Sequence, residues 1–213
     1  MADKPLPDKL PAIVEPCIMS IPQDPKPAKL FVSIIAGSAV HIAKVLSKLT
    51  GRYGILDFVS ALLAFDYTDY YYAEMGQPLF RRFASFDGLI SQEDLAQIKV
   101  QTNLLETEQS AGGSRRVNID PGYLLAERLV LASGKNYAHR IYLSSGIYAD
   151  LTLIYSDRDY RPLAWTYPDY AEPKVRNWLR ALRQKYLLQL RSEESSTKDD
   201  ASPDDSRIRV ARP

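Results

Sequence analysis

Hydrophobic and polar residues alternate with two different periods in the first half of the chain. The run LFVSIIAG, from Leu30, is rich in β-branched residues and predicts a buried strand. Apolar positions at helical spacing follow it, and residues 54–67 and 78–86 then have extended character. Ser91 is a candidate N-cap for a second amphipathic helix. The predicted order is therefore strand, helix, strand, strand, helix.

The second half predicts a run of strands and one long helix. Residues 115–120, RRVNID, alternate as a strand and then meet a Pro-Gly pair that is typical of a turn. Residues 125–133 are ambiguous between strand and helix, whereas 139–143 and 147–155 predict a hairpin. Pro173 suits the first position of the last helix. We therefore predict an α+β fold, a largely antiparallel sheet with helices packed on one face, and a possible split βαβ (ferredoxin-like) core.

Composition limits the function classes. The chain has 213 residues, of which 46% are hydrophobic and 25% charged, and its net charge of +1 gives no general attraction to nucleic acid or membrane. Seven of the 14 prolines precede residue 30, so we predict a disordered Pro-rich arm over 1–29, one domain over 30–191, and a disordered polar tail over 192–213. The single cysteine, Cys17, and the lack of an apolar leader predict a cytoplasmic location.

Three of the predicted strands carry a polar face. Side chains two residues apart on a strand share a face, which groups short carboxylates, an arginine, an amide and phenols. These residues are Asn118, Asp120, Arg140, Tyr142, Tyr148, Asp150 and Thr152. One interpretation is the solvated side of an antiparallel sheet. The other is a fixed network that presents a guanidinium to a phosphate or carboxylate.

A second polar cluster lies in FDYTDYYYAEMG, residues 65–76. Its aspartates, Asp66 and Asp69, lie among tyrosines and can serve as a capped helix start. If Asp69 and Asp120 converge, the pair can instead bind a divalent cation such as magnesium or share a proton in acid-base chemistry. Sequence spacing leaves both interpretations open.

Histidine and glycine motifs add little evidence about the function. Of the two histidines, His139 is a packed or surface residue, or a proton carrier beside the polar face. No G-x-S-x-G elbow accompanies either histidine. The stretch LASGKN at 131–136 departs from a phosphate loop, since Leu129 and Asn136 occupy two of the motif positions.

The last helix is strongly basic, with no acidic residue between 174 and 191. A basic helix face can follow a nucleic-acid backbone, and it can equally be a solvated face beside an apolar stripe. A partner role for RNA or protein is therefore the alternative to small-molecule binding.

Seven motifs occur in an order that resembles a known prokaryotic family. They are DYTDYYYAEMG, SFDGLI, TNLLE, VNIDPGYL, LVLASGKNYAHRIYL, GIYADLTLIY and WTYPDY. The chain is similar through residues 28–190 to the domain of unknown function family 4416, some of whose members carry the label GTP-binding protein. Neither a phosphate loop nor an N-K-x-D motif is present to support that label. In this family a Glu most often stands at Asp150 and a Lys at Arg128.

The resemblance directs attention to the polar residues inside its motifs, which include Asp69, His139 and Tyr167. Combined with the polar face, it leads us to expect a site for an anionic small molecule such as a nucleotide or phosphorylated metabolite. We expect Asn118, Arg140, Tyr142, Asp150 and Tyr167 to bind that ligand. Asp120 and His139 are the candidate catalytic residues, and Asp69 with Asp120 the candidate metal ligands. Whether the protein is an enzyme, and its oligomeric state, stay open at this point.

Overall fold

The computed structural model describes residues 21–200 and is built on a nine-stranded antiparallel sheet. The strands are β1 Ala28–Ala36, β2 Leu56–Val59, β3 Leu63–Ala64, β4 Phe80–Ile90, β5 Val117–Leu124, β6 Arg128–Ser133, β7 Arg140–Ser144, β8 Ile147–Ser156 and β9 Asp159–Pro162. The helices are α1 Ala39–Tyr53, α2 Tyr72–Met75, α3 Leu95–Glu108, α4 Pro168–Ala171 and α5 Pro173–Asp200. The predicted α+β class with a large antiparallel sheet is confirmed.

The strand order explains how the two halves of the chain join. Along the sheet the order is β2-β4-β1-β5-β6-β8-β7, while β3 adds to β4 and β9 to β8. In the first half, β4 lies between β1 and β2 and is antiparallel to both, so β1 and β2 run in the same direction. This is the arrangement expected of a split βαβ unit. The later strands extend the same sheet beyond β5.

Helices cover both faces of the sheet, which corrects the prediction that they pack on one. Buried residues of α1 and α3 pack on a core with Leu30, Val32 and Ile34 of β1. The neighbouring residue Phe31 points the other way and packs in a second core with α5. All nine residues of β1 are buried, so this strand needs a layer on each side. The sequence pattern of α5 showed an apolar stripe but not which face it covers.

Several element boundaries differ from the prediction. β5 continues through Pro121 and Gly122 to Leu124 instead of turning, and the ambiguous segment forms β6. β1 begins at Ala28, with Lys29 fully buried, and α5 continues past 191 to Asp200. The predictions for residues 1–20 and 201–213 lie outside the described residues.

The sheet splits between β5 and β6. Pairing between them is confined to residues 122–124 of β5, and within residues 21–200 the N-terminal half of β5 pairs with no strand other than β1. The backbone of Ile119 in the split half instead bonds to side chains of α3. Its N–H donates to the Glu106 carboxylate at 2.7 Å, and its carbonyl accepts from the Lys99 ammonium at 2.7 Å. These two side chains take the place of a neighbouring strand.

Pro121 and Gly122 set where the split begins. The peptide nitrogens of 119, 121 and 123 face the same side of β5 because strand residues alternate. Pro121 therefore has no donor for β6, at the residue just before the pairing starts. Gly122 permits the close approach that follows, because a Cβ there would lie 2.3 Å from the carbonyl oxygen of Val130. The Pro-Gly pair is thus a feature of the strand rather than a turn.

Candidate ligand-binding cavity

A cavity of about 570 Å³ occupies the split between β5 and β6. Its floor is formed by β5 and by α3 side chains that reach through the split. Its walls come from the loop before α2, from the segment 131–140, and from residues 167–170 at α4. The charged lining residues are Arg81, Lys99, Glu106, Arg115, Asp120, Lys135, Arg140, Asp150 and Asp169. Polar side chains of β5, β7 and β8 thus meet at this cavity.

The floor is an ordered polar network around Asp120. Asn118 donates its amide to Asp120 Oδ2 at 2.6 Å, and the Lys99 ammonium lies 3.4 Å from Oδ1. Arg115 Nη1 in turn donates to Asn118 Oδ1 at 3.2 Å, which fixes the orientation of the amide. The side chain of Asp120 is 29% exposed, whereas those of Lys99 and Glu106 are 8% and 7% exposed. Asp120 is therefore the carboxylate of the floor that a ligand can reach.

Arg115 joins the floor to α2. Its guanidinium makes a two-pronged contact with Glu74, with Nε and Nη2 at 2.9 and 2.7 Å from the carboxylate oxygens. Hydrogen bonds from Arg115 hold the pKa of Glu74 below its usual range. Burial has the opposite effect on Glu106, whose pKa is raised despite the nearby Lys99. For Glu106, burial thus outweighs the opposing effects of Lys99 and of the Ile119 N–H, whereas at Glu74 the hydrogen bonds from Arg115 dominate.

Arg140, at the start of β7, is the central residue of one wall. It is 7% exposed. Its Nε donates to Asp150 at 2.9 Å, and its Nη2 donates to the Tyr167 hydroxyl at 2.8 Å. Nη1 donates to Ser133 Oγ and to the Lys135 carbonyl at 2.7 and 3.1 Å. A guanidinium has five N–H groups, and these contacts use four of them.

Lys135 lies at the mouth of the cavity, on the loop between β6 and β7. Its ammonium is 3.1 Å from the Tyr70 hydroxyl oxygen and 4.3 Å from the centre of the same ring. The other four cavity cations each contact a carboxylate, and Lys135 contacts none among the described residues. The lining thus holds five cationic and four anionic side chains, and Lys135 supplies the excess positive charge.

Tyrosines make up much of the remaining wall. Burial raises the pKa of Tyr71, Tyr167 and Tyr170, and Tyr170 is 1% exposed. Their hydroxyls therefore stay protonated at neutral pH and can donate hydrogen bonds. The rings add apolar area on which a planar group can stack. At the base of the wall, Arg81 pairs with Asp169 and lies 4.5 Å from the Phe65 ring centre.

Most of the predicted ligand-binding residues line this cavity. The lining includes Asn118, Arg140, Asp150 and Tyr167, and it also includes Asp120, the candidate catalytic and metal residue. Tyr142 is outside it, because the side chain lies beyond Arg140 on the edge strand, packs on Tyr148 and is 58% exposed.

His139 and Asp69 also lie outside the lining. His139 stacks on Trp165 with ring centres 5.0 Å apart, and its Nε2 is 3.4 Å from Asp150 Oδ2. Asp69 is exposed, and its carbonyl accepts from Tyr72 N–H where α2 begins. Asp69 is therefore not among the residues that line the cavity with Asp120. Over residues 21–200, no three or more His, Cys, Asp or Glu side chains are grouped to hold a metal ion.

Sequence reasoning missed the residues that come from α3 and from the flanking loops. They are Lys99, Glu106, Arg115, Lys135 and Tyr70. A usable signal existed for two of them, because Lys99 and Glu106 are seven residues apart and so lie on one face of α3 together with buried Thr102. Charged residues on an otherwise apolar helix face indicate a buried polar partner.

The basic residues of α5 are largely bound to the rest of the domain. Arg176 pairs with Asp159, Lys185 lies 3.0 Å from Asp57, and Arg183 donates to the Ala126 carbonyl at 2.5 Å. These cations anchor the helix to the sheet and are less available to a nucleic-acid backbone than the sequence alone indicated. In the part of the chain that the structure describes, no helix has the length and apolar content needed to cross a bilayer.

The fold and cavity define an α+β protein with a split antiparallel sheet and a polar pocket in the split. The chain belongs to the family described as Domain of unknown function (DUF4416), whose model matches residues 26–186. That range contains the whole cavity lining. Comparison with curated proteins and with solved structures gives no match.

Proposed function

We propose that the cavity binds a small anionic molecule, such as a nucleotide or a phosphorylated metabolite. The observation that carries this proposal is Lys135, a cation at the cavity mouth with no carboxylate contact among the described residues. The remaining N–H of Arg140 and the protonated hydroxyl of Tyr167 add donors on the same wall. Together they form a donor surface for phosphate or carboxylate oxygens.

The floor of the cavity offers a hydrogen-bond acceptor, the carboxylate of Asp120. Asp120 is held by Asn118 and Lys99 and still exposes part of its carboxylate. A ligand hydroxyl or amino group can donate to it while the tyrosine rings cover a planar part. If the bound molecule is converted, Asp120 is the group we assign to acid-base chemistry, since it is accessible and oriented. We therefore propose a ligand that has a phosphate or carboxylate at one end and a hydroxyl or amino group, which donates a hydrogen bond, at the other.

The proposal also covers a magnesium ion and the cellular location. Phosphate-bound magnesium is commonly held by one or two carboxylates, and Asp120 is the accessible carboxylate here. We place the activity in the cytoplasm, for which the single Cys17 is the support. RNA or protein binding through α5 remains the alternative, and the contacts of Arg176, Arg183 and Lys185 weigh against it.

Thermal-shift screening tests the proposal. The panel contains nucleoside mono- and triphosphates and sugar phosphates, each with and without magnesium. Loss of a charge-assisted hydrogen bond at Lys135→Ala is expected to weaken binding by about 1.5–3 kcal/mol, roughly tenfold to 150-fold in Kd. Lys48→Ala is the matched control, since Lys48 is an exposed lysine paired with Glu108 away from the cavity.

Two outcomes would overturn the proposal. In the first, no compound of the panel stabilises the wild-type protein. In the second, Lys135→Ala and Lys48→Ala respond to a stabilising compound as the wild type does. Salt-sensitive RNA binding that is lost on charge removal at Arg176, Arg180 and Arg183 would instead favour the alternative.

A further inference from the structure

An exposed loop, residues 66–70, forms part of one cavity wall. Tyr67, Thr68 and Tyr70 line the cavity. No residue of the loop is buried, and Tyr70 is 58% exposed. Chain segments with few buried contacts open at a low cost in free energy. We therefore expect this loop to open more readily than the sheet that carries it.

The chain on both sides of the loop is anchored, which limits movement to the loop itself. Phe65 is 4% exposed, and its N–H donates to the Leu79 carbonyl at 2.9 Å. On the other side, Tyr71 and α2 pack against these two buried residues. The pair of Glu74 and Arg115 also holds α2 to the cavity floor. Fixed ends and an exposed middle are the arrangement of a compact surface loop.

The base of the loop has empty space on both sides. Tyr67 lines the main cavity and also a second one of about 140 Å³, which reaches Val175 of α5. Burial and the neighbouring carboxylate of Glu172 raise the pKa of Tyr67, so its hydroxyl stays protonated and can donate to Glu172. The Tyr67 side chain is nevertheless exposed. Movement of the loop therefore requires little repacking.

Tyr70 carries the contact between this loop and the wall formed by residues 131–140. Its hydroxyl oxygen accepts from the Lys135 ammonium at 3.1 Å, and its ring centre is 4.3 Å from that nitrogen. A phenol that accepts a hydrogen bond keeps its own proton to donate, and an ammonium has three donors. One anion can therefore accept from Tyr70 and from Lys135 at the same time.

We propose that residues 66–70 are a lid over the cavity, which opens to admit an anion and closes when Tyr70 and Lys135 both bind it. This inference rests on the anion site proposed above, and it adds Tyr70 to the residues that bind the ligand. In the closed form the Tyr70 hydroxyl donates to a phosphate or carboxylate oxygen, while the ring shields the Lys135 ammonium from water. A hydrogen bond between charged groups is stronger where water is excluded.

Limited proteolysis without ligand tests the opening of the lid. Chymotrypsin cleaves after tyrosine, and residues 67–72 contain four tyrosines, Tyr67, Tyr70, Tyr71 and Tyr72. Cleavage requires a locally opened chain, so its rate at these sites, located by mass spectrometry, reports how often the lid opens. Lys135→Ala removes the partner of Tyr70 and is expected to raise this rate about threefold to tenfold. Lys48→Ala is the matched control and should be cleaved at the wild-type rate.

Inorganic phosphate is the probe for closure. Saturating phosphate is expected to slow cleavage at 67–72 in the wild type. Tyr70→Phe retains the ring but loses the hydroxyl, and it should bind phosphate roughly tenfold more weakly in isothermal titration calorimetry. Tyr142→Phe is the matched control, because Tyr142 is also 58% exposed but lies outside the cavity lining. This control should bind phosphate as the wild type does.

Equal cleavage rates at 67–72 in the wild type and in Lys135→Ala overturn the lid. So does phosphate that binds the wild type but neither slows this cleavage nor binds more weakly to Tyr70→Phe, and that result leaves the anion site standing. If phosphate does not bind the wild type, the anion site and the binding role of Tyr70 are both overturned. The cleavage rates without ligand then decide by themselves whether residues 66–70 open as a lid.

Discussion

Gly122→Ala probes the junction on which the cavity depends. Gly122 is the first β5 residue that pairs with β6, and the split begins just before it. A methyl group there would lie 2.3 Å from the Val130 carbonyl oxygen and 2.7 Å from Leu131 Cδ2. The nearer atom belongs to the backbone of a paired strand, so it cannot move away as a flexible side chain would. The substitution should force β5 and β6 apart.

The expected cost follows from that distance. An ordinary contact would need the strands to separate by roughly 1 Å, which is enough to weaken neighbouring ladder hydrogen bonds. Overpacking costs about 1–3 kcal/mol, and each weakened hydrogen bond adds about 1 kcal/mol. We therefore expect the free energy of unfolding to fall by about 3 kcal/mol, which corresponds to about 6–12 °C in Tm for a domain of this size.

Urea unfolding followed by circular dichroism measures this change. Gly88→Ala is the matched control, because Gly88 also lies in a strand and a Cβ there would meet nothing within 4 Å. The control should be neutral or slightly stabilising. Equal midpoints for Gly122→Ala and Gly88→Ala would refute the close approach of β5 and β6.

Two further predictions concern buried charges at the cavity. Arg140→Ala leaves Asp150, which is 3% exposed, without its guanidinium and should lower stability by about 3–5 kcal/mol in urea unfolding. Adding Asp150→Ala should restore part of that loss, and additive losses would contradict the pairing. Burial raises the pKa of Glu106, so the folded state retains its proton longer than the unfolded state. Stability from this residue is full below the unfolded pKa of about 4.3 and is lost as pH rises through the folded pKa. In the wild type, Tm should decrease between the unfolded and the folded pKa of Glu106, and Glu106→Gln should flatten this decrease. A variant whose Tm depends on pH as the wild type's does would contradict the raised pKa.

Residues of the site that share a strand could be predicted because strand alternation is local. Asn118 and Asp120 are two apart on β5, and Arg140 is directly paired with Asp150 across β7 and β8. The sequence pattern therefore placed these side chains on one face. It could not place Lys99, whose role depends on a split between strands that are formed elsewhere in the chain.

Local preferences misled the prediction where tertiary contacts decide. A Pro-Gly pair ordinarily favours a turn, yet here the missing N–H of Pro121 faces the split and the missing side chain of Gly122 admits β6. Similarly, the cations of α5 form a basic pattern in sequence. Their carboxylate and carbonyl partners, such as Asp159 for Arg176, come from other elements and become visible only in the fold.

Locating the bound anion tests most directly whether it occupies the cavity between β5 and β6. Inorganic phosphate and a nucleoside monophosphate can be titrated into uniformly nitrogen-15-labelled protein while backbone amide shifts are followed by NMR. We expect saturable shifts at Gly134, Lys135 and Asp120, and weaker shifts at these residues in Lys135→Ala. Shifts confined to the exposed side of α5 around Arg180, or no saturable shift at all, would contradict it.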